Sequence, residues 1–69
     1  MSRVKVRING ELKEVADGLT VAALLSSLEI TAPRVAVEVN ATVITRSQHA
    51  SHALRAGDEV EIVTFVGGG

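Results

Sequence analysis

Few side chains in this sequence carry chemistry of their own. Cysteine is absent, so the chain offers no thiol nucleophile, no thiolate metal ligand and no disulfide. His49 and His52 stand three residues apart and could share one face of a helical turn. Without a nearby Cys or carboxylate they make a weak zinc set, so no metal is expected and exposed or capping histidines are the plainer reading. Asp58, Glu59 and Glu61 gather acidic charge, either as a solvated turn or as a patch that steers a basic partner. What remains is the closing "VTFVGGG": Phe65, the sole aromatic residue, then Val66, Gly67, Gly68 and Gly69 with a terminal carboxylate.

A glycine tract has no side chain to pack and loses much conformational freedom on ordering, so packing gives it no reason to exist. It is either an idle, frayed terminus or a segment that something needs thin. A narrow tunnel around a reactive group leaves little room for a Cβ. Three extended residues reach about 10 Å, enough to carry a carboxylate off a domain surface into a partner's cleft.

The elements that must position this tail follow from periodicity. "RVKVRI" at 3–8 alternates Val4, Val6 and Ile8 with Arg3, Lys5 and Arg7, the pattern of a half-buried strand. Asn9-Gly10 predicts a hairpin with 11–16. A two-residue turn sets Val4 opposite Val15 and Lys5 opposite Glu14, but it also sets Val6 opposite Lys13, which leaves a bulged or longer loop open. After Asp17-Gly18, Thr20 is placed to cap a helix running to about Glu29, with Val21, Leu24, Leu25 and Leu28 on one stripe. Pro33 ends the helical region.

"RVAVEV" at 34–39 is a further alternating strand, Asn40-Ala41 a turn, and Val43-Ile44 a short strand. Asn40-Ala41-Thr42 matches a glycosylation sequon, but a turn asparagine is the simpler reading. Residues 47–54 are ambiguous, with Ser47 a plausible cap for a short turn. Gly57-Asp58 turns the chain into a last strand from about Glu59 to Val66. Its apolar run after Glu61 predicts burial on both faces and a central place in the sheet. Alternation places Val60, Ile62 and Thr64 on one face and Glu61, Val63 and Phe65 on the other, a second and partly exposed apolar surface. Phe65 then either anchors a partner or packs in the core. The order is β-β-α-β-β-turn-β, an α+β fold.

At 69 residues the chain makes one domain, assigned to 1–66 with a flexible tail at 67–69. Seven Lys and Arg against eight Asp and Glu give a net charge of −1 without a basic field, and one aromatic gives no stacking platform, so nucleic acid is a poor partner. The amino-terminal segment is neither a signal peptide nor a membrane span, and the expected location is cytoplasmic.

The element order, "LRAGDEVEIV" leading into the last strand, and the "FVGGG" ending together resemble the ThiS family of ubiquitin-like β-grasp sulfur carriers over essentially the whole chain. The resemblance implies a mixed sheet of about five strands with one main helix across one face. It also implies that a ThiF-like adenylating enzyme uses ATP to activate the Gly69 carboxylate. A persulfide supplied through a cysteine desulfurase would convert it to a thiocarboxylate, and a ThiG-like thiazole synthase would receive the sulfur. The chain would bind no cofactor itself and act as a co-substrate rather than an enzyme, with Gly67 and Gly68 entering its partners. Apart from the resemblance, Val63, Phe65 and Val66 are the residues beside the tail expected to meet a partner's surface. Three alternatives stay open: a small subunit of molybdopterin synthase, a ubiquitin-like modifier, and an interaction module with an inert tail.

Overall fold

The first hairpin forms on a two-residue turn. In the computed structural model, which describes residues 2–65, strand β1 (Arg3–Ile8) pairs antiparallel with β2 (Glu11–Ala16), Val4 opposite Val15 and Lys5 opposite Glu14. Asn9 and Gly10 both take positive φ, 49° and 84°, the pair of left-handed residues that matches the twist of a tight hairpin. The bulged alternative is therefore not used. Val6 does face Lys13. This is tolerated because β2 is an edge strand with only Val15 partly buried, and the Lys13 ammonium stays at the surface, 3.9 Å from the Glu11 carboxylate.

Helix α1 (Val21–Ser27) begins where expected, with the Ala23 N–H donating to Thr20 Oγ1 at 3.1 Å. Val21, Leu24 and Leu25 are buried and Leu28 is half-buried, so the apolar stripe faces the sheet core. The helix ends earlier than the expected Glu29, and Pro33 is not what stops it. Leu28 is the C-cap and Glu29 lies in the left-handed region at φ 58°. The Ile30 N–H donates to Leu25 O and the Glu29 N–H to Ser26 O, both at 3.0 Å. These two bonds are a Schellman closure, which satisfies the last helical carbonyls before proline is reached.

Strands β3 (Val35–Val39), β4 (Thr42–Ile44) and β5 (Glu59–Thr64) complete a five-stranded sheet of order β2-β1-β5-β3-β4. β5 is parallel to β1 and antiparallel to β3, so the last strand is central, as its apolar character predicts. Burial on both of its faces is not observed. Val60 and Ile62 are buried, whereas Glu59, Glu61 and Val63 are exposed, because the single helix covers one face and leaves the other bare; Thr64, on the covered face, is exposed at the strand end. β5 ends at Thr64 rather than at the expected Val66, which lies outside the described residues.

The core joins Val6 and Ile8 of β1, Val37 and Val39 of β3, Ile44, Val60 and Ile62 to the helix stripe, with Leu54 fully buried beside them. The ambiguous segment holds a short 3₁₀ turn at Arg46–Gln48. Ser47 lies inside that turn, and Thr45 takes the capping place instead, its N–H donating to Gln48 Oε1 at 3.0 Å. The segment beyond the turn closes the helix start. The carbonyls of His52 and His49 accept the Val21 and Ala22 N–H groups at 3.0 and 2.8 Å, so the first free amides of α1 find backbone partners.

Candidate functional site

The end of β5 combines an exposed apolar face with firm anchoring. Val63 is 50% exposed and stands on the bare side of the sheet with Glu59 and Glu61, and Phe65, one residue past the strand, is 51% exposed. Ala36 of β3 lies directly opposite Val63, and Val43 of β4, opposite Glu38, adds another exposed apolar side chain. The core alternative for Phe65 is thereby set aside. Its backbone is nonetheless held, since the Phe65 N–H donates to Arg34 O at 3.1 Å. Val66, Gly67, Gly68 and Gly69, the remaining predicted site residues, lie outside the described residues.

Two asparagines brace this strand from opposite sides. β1 stops at Ile8, but the Asn9 side chain continues its ladder: Asn9 Nδ2 donates to Ile62 O at 3.1 Å, and Asn9 Oδ1 accepts the Ile62 N–H at 2.8 Å. On the other side Asn40, at φ 52° in the β3–β4 turn, accepts the Glu59 N–H on Oδ1 at 3.0 Å and donates through Nδ2 to Asp58 Oδ1 at 3.0 Å. Each side chain turns a left-handed hairpin residue into a clamp on the central strand. Sequence reading assigns both positions to turns and misses the clamps, because a turn already gives asparagine a sufficient local reason.

The acidic run divides into different roles. Asp58 is a turn residue, with Oδ2 accepting the Arg55 N–H at 2.9 Å and Oδ1 engaged by Asn40. Glu59 and Glu61 remain exposed on the bare face, where Glu61 sits opposite Glu38 and Glu59 is in register with Arg7. The histidines differ from expectation too. His49 is buried, neither exposed nor capping through its side chain, and its Nε2 lies 3.2 Å from Ile44 O. His52 is partly buried. Among the described residues no three His, Asp or Glu side chains converge as a metal cage, and no helix is long and apolar enough to cross a membrane. The described part of the site is an apolar, acid-edged sheet face that precedes the glycine segment in sequence.

Comparison with known proteins adds to this picture. The ThiS family model matches residues 6–69. A thiazole synthase of Paramagnetospirillum magneticum is 42% identical over 66 residues, covering 96% of this chain and 20% of the relative. The chain thus spans about a fifth of that relative's length. The uncharacterised protein ycf40 of Porphyra purpurea is 35% identical over 66 residues, covering 96% of this chain and 93% of the relative. The crystal structure of a thiamine biosynthesis protein (ThiS) from Geobacter metallireducens superposes with a TM-score of 0.82 at 36% identity, covering 96% of this chain and all of that one.

Proposed function

This chain belongs to the ThiS family, and from that premise we propose that it is a sulfur carrier of thiamine thiazole formation, with the Gly69 carboxylate as the group that bears sulfur. The observation that carries this reading is the reach of the family match through residue 69, which takes in Gly67, Gly68 and Gly69. The similarity to a thiazole synthase favours the thiazole branch over the molybdopterin alternative.

A free carboxylate resists nucleophiles through its negative charge and lacks a leaving group better than oxide. A carboxylate oxygen of Gly69 attacks the α-phosphorus of ATP on a ThiF-like enzyme, and pyrophosphate departs. The resulting mixed anhydride is attacked at its carbonyl carbon by a persulfide sulfur supplied through a cysteine desulfurase, and AMP departs. The product is an acyl disulfide that keeps the sulfur–sulfur bond of the persulfide, and a second thiol attacks its cysteine sulfur, forms a disulfide with it, and releases the thiocarboxylate for a ThiG-like thiazole synthase. The carrier contributes the acyl group and a shape, and the partners contribute the catalysis. Its glycines keep the threaded segment thin where water must be excluded. The exposed Val63 and Phe65, with Val66 beyond them, provide the apolar contact that seats the domain over the tunnel mouth.

The reading is tested by ATP–pyrophosphate exchange with a ThiF-like enzyme. Exchange that depends on the carrier supports the assignment, and exchange that is absent with the intact chain refutes it.

A further inference from the structure

The end of the sheet that carries Phe65 also holds a groove of about 370 Å³, lined by Pro33, Arg34, Val35, Arg46 and Phe65. Its two guanidinium groups come from segments distant in sequence, and the backbone ties both to the same place. Arg46 Nη2 donates to Pro33 O at 2.6 Å, while Arg34 O accepts the Phe65 N–H. The ion pairs formed among the described residues are Arg3–Glu14 and Lys13–Glu11, so no described carboxylate neutralises either groove arginine. Two positive charges with no ion-pair partner among the described residues therefore line a groove with an exposed aromatic ring, on a chain of net charge −1.

We propose that this groove is a notch that receives an aspartate or glutamate side chain from the rim of the enzyme that activates the tail, an inference resting on the carrier reading above. Charge complementarity selects a carboxylate. A guanidinium offers five N–H donors in a planar fork, of which Arg46 spends one on Pro33, and a carboxylate fits such a fork in bidentate fashion. The apolar walls from Pro33, Val35 and Phe65 suit the short aliphatic stem of an acidic residue. Distance favours a rim residue over the reacting nucleotide. The chain from Val66 to Gly69 can span at most roughly 13–14 Å at 3.3–3.6 Å per residue, a reach that lets the adenylation centre lie well beyond Phe65. The notch would thus fix the orientation of the domain over the tunnel while the tail reaches inward. Sequence reading missed Arg34 and Arg46 because only the fold brings them beside Phe65.

The test measures both ATP–pyrophosphate exchange with the carrier as variable substrate and direct binding of the carrier to the activating enzyme by calorimetry without ATP. Arg34→Gln combined with Arg46→Gln is expected to raise KM and Kd about tenfold and to flatten their dependence on salt, with kcat within about twofold of wild type. Arg46→Lys, which keeps the charge and loses the fork, should fall between. Arg34→Gln alone leaves the Pro33 contact intact and guards against a folding defect. Unchanged Kd, KM and salt slope in the double variant overturn the notch while wild-type exchange leaves the carrier reading standing. Wild type that binds without exchange sinks the carrier reading, with the notch still judged by Kd, and wild type that does not bind at all overturns both. Saturable occupancy of the groove by inorganic phosphate, seen as shifts at both arginines, would make it a general anion site and also overturn the assignment.

Discussion

Replacing Asn9 with glycine isolates the clamp on the central strand, because both residues accept the left-handed backbone that position 9 adopts at φ 49°. The substitution deletes two hydrogen bonds to Ile62, of 2.8 and 3.1 Å, in a partly buried place. At about 1 kcal/mol each they contribute about 2 kcal/mol. The extra freedom of glycine in the unfolded chain adds roughly 0.4–1 kcal/mol, for a total loss near 2.5 kcal/mol. A domain of this length has a total stability of roughly 3–10 kcal/mol, so the loss is a large fraction of it. The melting temperature should drop by about 10–20 °C. Asn9→Asp keeps the acceptor for the Ile62 N–H but loses the donor to Ile62 O and sets a carboxylate against a carbonyl, so it should also destabilise. Urea unfolding gives the free energies, and hydrogen exchange reports the Ile62 amide directly. A loss for Asn9→Gly below about 1 kcal/mol, with Ile62 exchange unchanged, would refute the clamp, since glycine's freedom alone accounts for that much.

Other outcomes follow from the same structure. Phe65→Ala removes a half-exposed ring and should leave stability within about 0.5 kcal/mol while weakening binding to the activating enzyme by about tenfold or more; unchanged affinity in a folded variant rejects Phe65 as an anchor. Gly68→Ala should lower kcat/KM for adenylation sharply with thermal stability unaltered, because the added Cβ obstructs threading, and normal adenylation would contradict the need for thinness. Glu29→Gly relieves a left-handed residue at the helix end and should raise stability by about 0.5–1 kcal/mol by urea unfolding, a gain that would not appear if Glu29 were unstrained. Leu54→Ala opens a cavity beneath a fully buried side chain and should cost about 2–5 kcal/mol, enough to leave much of the protein unfolded at 37 °C.

What the sequence makes legible is what local pattern dictates. Asn9-Gly10 between alternating runs fixes the hairpin, and Thr20 with its apolar stripe fixes the start and buried face of α1. The helix end was less legible, because Glu29 closes it in a left-handed conformation more often given to glycine. The central place of β5 could be read from its apolar run, yet two-sided burial did not follow, as Val63 and Phe65 are apolar for a surface. Residues 47–54 resisted reading because their order comes from backbone carbonyls that close the start of a distant helix, which leaves no periodic trace. In the candidate site, alternation alone placed Val63 and Phe65 together on the exposed face. The Asn9 clamp and the Arg34–Arg46 groove needed the fold, since each joins residues far apart in the chain.

The central claim is that the Gly69 carboxylate carries sulfur. After incubation with ATP, a ThiF-like enzyme and a persulfide source, mass spectrometry of the carboxyl-terminal peptide should show one oxygen replaced by sulfur at Gly69. The replacement should require ATP and be reversed by hydrolysis. A terminus that stays an ordinary carboxylate under these conditions, or that appears joined to lysine instead, would contradict the account.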